Sequence, residues 1–258
     1  MSDMIETAKR ALGLVDLTNL NDDCTAEDIT SLTARTVTDH GSVAAVCVWP
    51  RFVAQAVKEL TGTGVKVATV VNFPDGGEDT EAVVAETQKA IADGADEIDL
   101  VMPYKAFASG RKGFAEEQII RVKAAIPAPA ILKVILETGE IKDPLLIHAA
   151  SNIAIAAGAD FIKTSTGKVS VNATLEAAEI MLTAIEEARR EEAERVIGFK
   201  PAGGIKTTVD AASYLELADR IMGHNWVSAS TFRFGASSLL DALIATIEGK
   251  EATAKEGY

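Results

Sequence analysis

Short apolar runs recur along the chain at intervals of about thirty residues, and the polar–apolar period changes between them. Runs rich in Val, Ile and Ala predict β-strands near 13–18 (GLVDLT), 43–48 (VAAVCV), 65–71 (VKVATVV), 96–101 (DEIDLV), 130–136 (AILKVIL), 159–164 (ADFIKT), 195–200 (RVIGFK) and 230–235 (STFRFG). Between them, apolar positions three and four apart predict helices over 78–93, 142–157, 175–190 and 208–222. Gly94, Pro127 with Pro129, Gly158 and Gly223 punctuate the elements, and Thr207 and Thr208 stand where a hydroxyl can cap a helix. Alternation of this kind predicts βαβ units on a parallel sheet. Eight units in 258 residues fit an α/β fold of the closed (β/α)8 TIM-barrel type better than an open doubly wound sheet. No linker or break in composition divides the chain, so a single domain over 1–258 is expected, with the last residues, about 250–258, read as a frayed tail.

An internal repeat supports this layout. AIADGADEID at 90–99 and AIAAGADFIK at 154–163 agree at seven of ten places, each reading as a helix end, a Gly and the next strand. The two copies end in Asp99 and Lys163, so one local frame presents opposite charges at the same place.

Parallel strands covered on both faces normally read as continuous apolar runs. Here five charges, each on a different one of the eight strands, stand out: Asp16, Asp99, Lys133, Lys163 and Lys200. Alternation puts Phe161, Lys163 and Ser165 on one face of the sixth strand, and Val196, Gly198 and Lys200 on one face of the seventh. Ile162, Ile197 and Phe199 then cover the outer helices, and the charges point into the barrel, most of them near the C-terminal ends where barrel active sites lie. A single buried Lys–Asp pair is explained equally well as a structural ion pair. Three lysines and two aspartates converging on one interior leave an excess ammonium. Burial and like charge both depress a lysine pKa, the condition for an amine that attacks a carbonyl. The expected chemistry is a Schiff base that withdraws electrons from a neighbouring C–C bond, with no metal or cofactor.

The remaining motifs narrow the choice. His40, His148 and His224 lack paired ligand spacing and no CxxC or HExxH occurs, so no metal site is expected. Gly62-Thr-Gly64 precedes a strand and lacks the third glycine of a dinucleotide fingerprint. Cys47 lies in an apolar strand and reads as a small buried residue that can border the cavity. Three glycine-containing segments follow the last three strands: Thr164-Ser-Thr-Gly167-Lys168, Pro201-Ala-Gly203-Gly204-Ile-Lys206 and Gly235-Ala-Ser237-Ser238. Each is expected to run into a helix N-terminus, where backbone N–H groups bind anions. With Lys168 and Lys206 at hand they predict a phosphate pocket. TSTGKV is not a Walker A loop, which points to a phosphorylated small molecule without nucleotide hydrolysis.

Composition removes other classes. With 25 Lys+Arg against 38 Asp+Glu the formal net charge is −13 and the pI about 4.7, which argues against nucleic acid or an anionic membrane as partner. Aromatics make up 5%, too few for base-stacking platforms, and 48% hydrophobic residues suffice for a large core. Two cysteines form no disulfide framework. The N-terminal MSDMIETAKRALGL lacks the apolar run of a signal peptide, no stretch approaches the ~20 apolar residues of a membrane span, and a cytoplasmic setting is expected.

Taken together, VDLTNLNDD, VCVWPRF, VVNFP, GADEIDLVMPY, LKVILETGEI, DFIKTSTGK, NATLE, GFKPAGGIKT and FRFGASSLL span nearly the whole chain and resemble the deoxyribose-phosphate aldolase family in its longer bacterial form. The resemblance implies a class I aldolase that reversibly cleaves 2-deoxy-D-ribose 5-phosphate to acetaldehyde and D-glyceraldehyde 3-phosphate in deoxyribose catabolism. It places the Schiff base on Lys163, which strand alternation alone leaves open among three lysines. It makes Lys200 the neighbouring cation and Asp99 the proton-relay acid, with Asp16 and Lys133 in support. Gly167, Lys168, Gly203, Gly204, Lys206, Gly235, Ser237 and Ser238 would bind phosphate, Tyr258 would reach the site from the tail, and a small homo-oligomer, a dimer first, is implied. Lys206 departs from the Arg expected at its place and Trp49 from a Tyr, the former exchanging a bidentate fork for a point charge. Another lysine-dependent barrel lyase or a transaldolase, and a non-catalytic sugar-phosphate sensor, are the competing readings.

Overall fold

The computed structural model describes residues 2–250. Each of the eight apolar runs contributes a strand: β1 (Val15–Asn19), β4 (Ala45–Val48), β5 (Lys66–Val71), β6 (Glu97–Val101), β7 (Ile131–Ile135), β8 (Phe161–Lys163), β9 (Gly198–Lys200) and β10 (Phe234–Ala236). A two-stranded hairpin, β2 (Val37–Thr38) with β3 (Gly41–Ser42), stands apart. All pairings of the large sheet are parallel, in the order β10-β1-β4-β5-β6-β7-β8-β9. Parallel bridges Phe199–Phe232 and Ala202–Gly235 join its two ends and close the barrel. Phe199, Phe232 and Phe234 stack edge-on along this seam, with centroids 5.8 and 4.9 Å apart.

Outside run α1 (Ser2–Leu12), α2 (Ala26–Thr33), α3 (Val53–Glu59), α4 (Thr80–Ala92), α5 (Tyr104–Ala108), α6 (Lys112–Ala124), α7 (Thr138–Ile141), α8 (Pro144–Ala156), α9 (Leu175–Glu191), α10 (Thr208–Met222) and α11 (Leu239–Ile247). The four helices expected from periodicity appear as α4, α8, α9 and α10, and Thr207 caps α10 through a reciprocal pair with Asp210. α1 has no counterpart in the periodicity reading. It buries Ala8, Ala11 and Leu12 and forks Arg10 onto Asp219 of α10, both contacts at 2.6 Å. The last strand is shorter and later than 230–235, because the Phe232 and Thr231 amides both bond to Ser228 O and wind 228–232 into a turn.

Two apolar regions result. The larger fills the space between strands and helices and takes Leu17, Val46, Ile98, Leu132, Ile162 and Phe199. The smaller lies inside the barrel, on the first strands, and consists of Leu20, Cys47, Ala68 and Val70, flanked by Trp49 and Phe73. Gly198 faces the interior opposite Phe161: a Cβ there would stand 2.3 Å from the ring, so glycine is what admits the phenyl group. Among the described residues no helix is long and apolar enough to cross a membrane.

Candidate active site

The half of the barrel interior not filled by the small apolar cluster is ionic. Strand register builds it, since Asp99 pairs with Lys133 and Lys163 with Lys200 on adjacent strands. Lys163 and Lys200 end β8 and β9, whereas Asp16, Asp99 and Lys133 sit deeper, so fewer of the charges lie at the strand ends than alternation implied. Asp99 is the hub. Its Oδ2 accepts from Lys163 Nζ and Lys200 Nζ, both at 2.8 Å, and its Oδ1 from Lys133 Nζ at 2.9 Å. Lys200 Nζ also lies 2.5 Å from Asp16 Oδ2, an ion pair without hydrogen-bond alignment.

Two further charges complete the cluster. Glu97 Oε2 accepts from Lys133 at 2.5 Å. Arg233 reaches Asp16 Oδ1 at 2.7 Å and Glu97 Oε1 at 2.9 Å, bridging the two acids below the hub. The sequence reading missed both, although the signal was there. Glu97 lies two residues before Asp99 and Arg233 two before Gly235, each on the inward face by alternation. Four cations against three carboxylates, all buried, leave one positive charge over.

This pairing reverses one expectation. Burial pulls the Lys200 and Lys133 ammonium groups down, but Asp16 and Asp99 around Lys200, and Asp99 and Glu97 around Lys133, outweigh it and hold both above the ordinary lysine range. Both are therefore fixed cations. Burial likewise pushes Asp99 and Asp16 up, and the surrounding cations outweigh it: Lys133, Lys163 and Lys200 hold Asp99 well below the usual carboxylate range, and Lys200 and Arg233 lower Asp16. Cys47 is fully buried, its thiol pushed up by burial and then by Asp99.

Lys133 and Lys200 have no solvent contact, while Lys163 is 3% exposed and is the lysine that opens onto a cleft at the C-terminal mouth of the barrel. That cleft is narrow and open to solvent, a cavity of about 30 Å³. Gly167, Gly203, Gly204, Gly235 and Ser237 line it, together with Thr18, Leu20 and Thr166. A larger crevice around Arg189, Trp226 and Met222 lies beside the start of β9 and contains none of the interior charges.

The three phosphate segments are not equivalent. Thr174 and Thr207 side chains already cap α9 and α10, and Thr174 stands well beyond Gly167, so the first two segments do not offer open helix ends. Ser238, by contrast, makes no side-chain cap at α11, and Asp241 N–H bonds the Ser238 carbonyl at 3.2 Å. Gly203 and Gly204 share φ +84°, a conformation costly to other residues, and nothing stands within 4 Å of where a Gly204 Cβ would be. Lys168, Lys206 and Ser238 are not among the lining residues. Lys168 Nζ pairs with Asp22 at 3.0 Å, and Lys206 is exposed, its amide donating to Asp210. Trp49 donates from Nε1 to Asn21 O at 2.9 Å and packs edge-on to Phe73. Tyr258 lies outside the described residues.

Residues 10–244 match the family described as DeoC/LacD family aldolase. Deoxyribose-phosphate aldolase of Agrobacterium fabrum (strain C58) is 56% identical, over 98% of this chain and 96% of that protein. Crystal structures of candidate deoxyribose-phosphate aldolases are also similar. The one from Coccidioides immitis is 31% identical with a TM-score of 0.79, covering 93% of this chain and 86% of that one. One from Toxoplasma gondii ME49 is 27% identical with a TM-score of 0.87, covering 96% and 99%. A closed parallel barrel with an interior lysine at a glycine-lined cleft, and similarity over nearly its whole length, make this chain a member of the DeoC/LacD aldolase family.

Proposed function

We propose that the chain is a class I deoxyribose-phosphate aldolase acting on 2-deoxy-D-ribose 5-phosphate through Lys163, a role consistent with deoxyribose catabolism. The observation that carries the assignment to Lys163 is its place: among the three interior lysines it alone lines the cleft, while Lys133 and Lys200 are held as cations. The ion cluster balances when one of its amines is neutral, and a neutral Lys163 is the form that attacks. Its Nζ adds to the C1 aldehyde of the open-chain sugar, the carbinolamine loses water, and the iminium forms. Loss of the proton from the C3 hydroxyl then breaks the C2–C3 bond, whose electron pair moves into the iminium to give an enamine. Glyceraldehyde 3-phosphate leaves, the enamine is protonated at C2, and hydrolysis frees acetaldehyde and Lys163.

Lys200 supplies the fixed positive charge beside the reacting nitrogen. Asp99 stays a carboxylate, orients both Nζ atoms and steers protons through bound water. Asp16 and Lys133 hold that arrangement. Gly167, Gly203, Gly204, Gly235 and the uncapped start of α11 form the phosphate end, with Ser237 and Ser238 beside it and Lys168 and Lys206 adding charge. A small homo-oligomer, a dimer first, and a cytoplasmic setting complete the reading.

Incubation with acetaldehyde, reduction with borohydride and peptide mapping test the central step. The expected adduct is on Lys163; a folded protein with no adduct there refutes it. For the phosphate end, Ser238→Asp places a negative charge at the α11 start, and we expect KM for the phosphorylated sugar to rise at least ~10-fold, the cost of one charge-assisted contact. An unchanged KM refutes the placement.

A further inference from the structure

Glu137 is a buried acid outside the ion cluster. It follows β7 with a left-handed backbone, φ 60° and ψ 57°, a conformation that non-glycine residues keep only where their surroundings hold them. Its side chain has no solvent contact. One carboxylate oxygen accepts from Thr166 N–H at 3.1 Å and the other from Thr166 O–H at 2.6 Å. Thr166 Oγ1 in turn accepts from Lys168 N–H at 3.0 Å, and Thr138 N–H donates to Thr164 O at 3.0 Å. The amides on either side of Gly167 are thereby tied down, one to Glu137 directly and one through Thr166. The cap of α9 lies too far along to do this, so the loop leaving β8 takes its shape from the turn after β7. Burial pushes the Glu137 carboxyl up, opposed by the two Thr166 bonds and by the Lys163 charge.

We propose that Glu137 is a positioning residue for the phosphate end of the site, fixing the backbone around Gly167 so that its loss weakens recognition of the phosphate and spares Schiff-base formation. The inference rests on the phosphate reading above and adds a residue to it. A buried carboxylate suits the task because it accepts both an N–H and an O–H from one residue, which sets Thr166 in both position and rotamer.

The test uses Glu137→Gln, which keeps the volume and gives up one acceptor, and Thr166→Val, which removes the hydroxyl partner on the loop after β8. Each is expected to raise KM for deoxyribose 5-phosphate about tenfold, the size of one charge-assisted hydrogen bond. In Glu137→Gln, which lies outside the cleft lining, kcat stays within about twofold, and KM for unphosphorylated deoxyribose and borohydride trapping of acetaldehyde on Lys163 stay at wild-type levels. The double variant is no worse than the worse single one, since both give up the Glu137–Thr166 contact. In ligand-free protein, amide exchange at Thr166 and Lys168 speeds up in Glu137→Gln. Equal KM increases for both sugars, or lost trapping, would overturn the proposal in favour of a general structural role. A wild-type enzyme without preference for the phosphorylated sugar would overturn the phosphate reading and the recognition role with it. Unchanged amide exchange with that preference intact would overturn the Glu137 assignment alone.

Discussion

Arg233→Met tests the logic of the buried ion cluster without touching the cleft. Arg233 bridges Asp16 at 2.7 Å and Glu97 at 2.9 Å, and both acids are buried. Methionine fills part of the volume and leaves Glu97 with Lys133, and Asp16 with Lys200 and, at 3.6 Å, Lys133. Breaking a buried pair by removing one member costs about 3–5 kcal/mol, because the other charge stays buried and under-compensated. For a chain of this size each kcal/mol moves Tm by about 2–4 °C, so a fall of roughly 6–20 °C is expected. Adding Glu97→Gln removes one under-compensated acid and should recover about half of the loss. Urea denaturation followed by circular dichroism supplies the reading. A single variant costing under about 1 kcal/mol, or a double variant as unstable as the single, would refute the account of the cluster.

Lys200→Leu should keep the fold at 25 °C and lose about 10²–10⁴ in kcat, the range for a group assisting proton transfer; near-normal turnover rejects its role. Gly198→Ala drives a Cβ into the Phe161 ring and should cost about 1–3 kcal/mol in urea denaturation, part of it recovered by Phe161→Leu. The cluster also predicts a pH window. Asp16 and Asp99 are held below the unfolded carboxylate value of about 3.9, so their stabilisation is full above it and lost as pH falls. Lys133 and Lys200 are held above the unfolded value of about 10.4, so theirs is full below it and lost as pH rises. The stability difference between wild type and Arg233→Met should therefore stay flat from about pH 5 to 9.5, and a steep trend inside that window would show a cluster member titrating there.

How much was legible follows from the range of the forces involved. The barrel was readable because period-two and period-3.6 burial are local properties: eight runs gave eight strands, and one repeat placed Asp99 and Lys163 in the same frame. Lys133, Lys163, Lys200, Asp16 and Asp99 all met inside the barrel, as alternation required. Glu97 and Arg233 obeyed the same rule and were overlooked, the first beside Asp99 and the second near a strand end that folds as a turn.

What the sequence by itself determined, then, is the barrel and the set of charged side chains that point into it, because both depend only on spacing along the chain. Which lysine is left to react, and which way its neighbours' protonation is pushed, depended on distances between strands far apart in sequence. Like charge and burial alone predicted depressed lysines; Asp16, Asp99 and Glu97, brought within 2.5–2.9 Å, fixed Lys133 and Lys200 as cations instead. Glu137 belongs to this second class as well, since no periodicity reads a left-handed turn whose carboxylate bonds Thr166 on the loop after the next strand. Coulomb energy falls with distance and rises with burial, and only the closed barrel sets both.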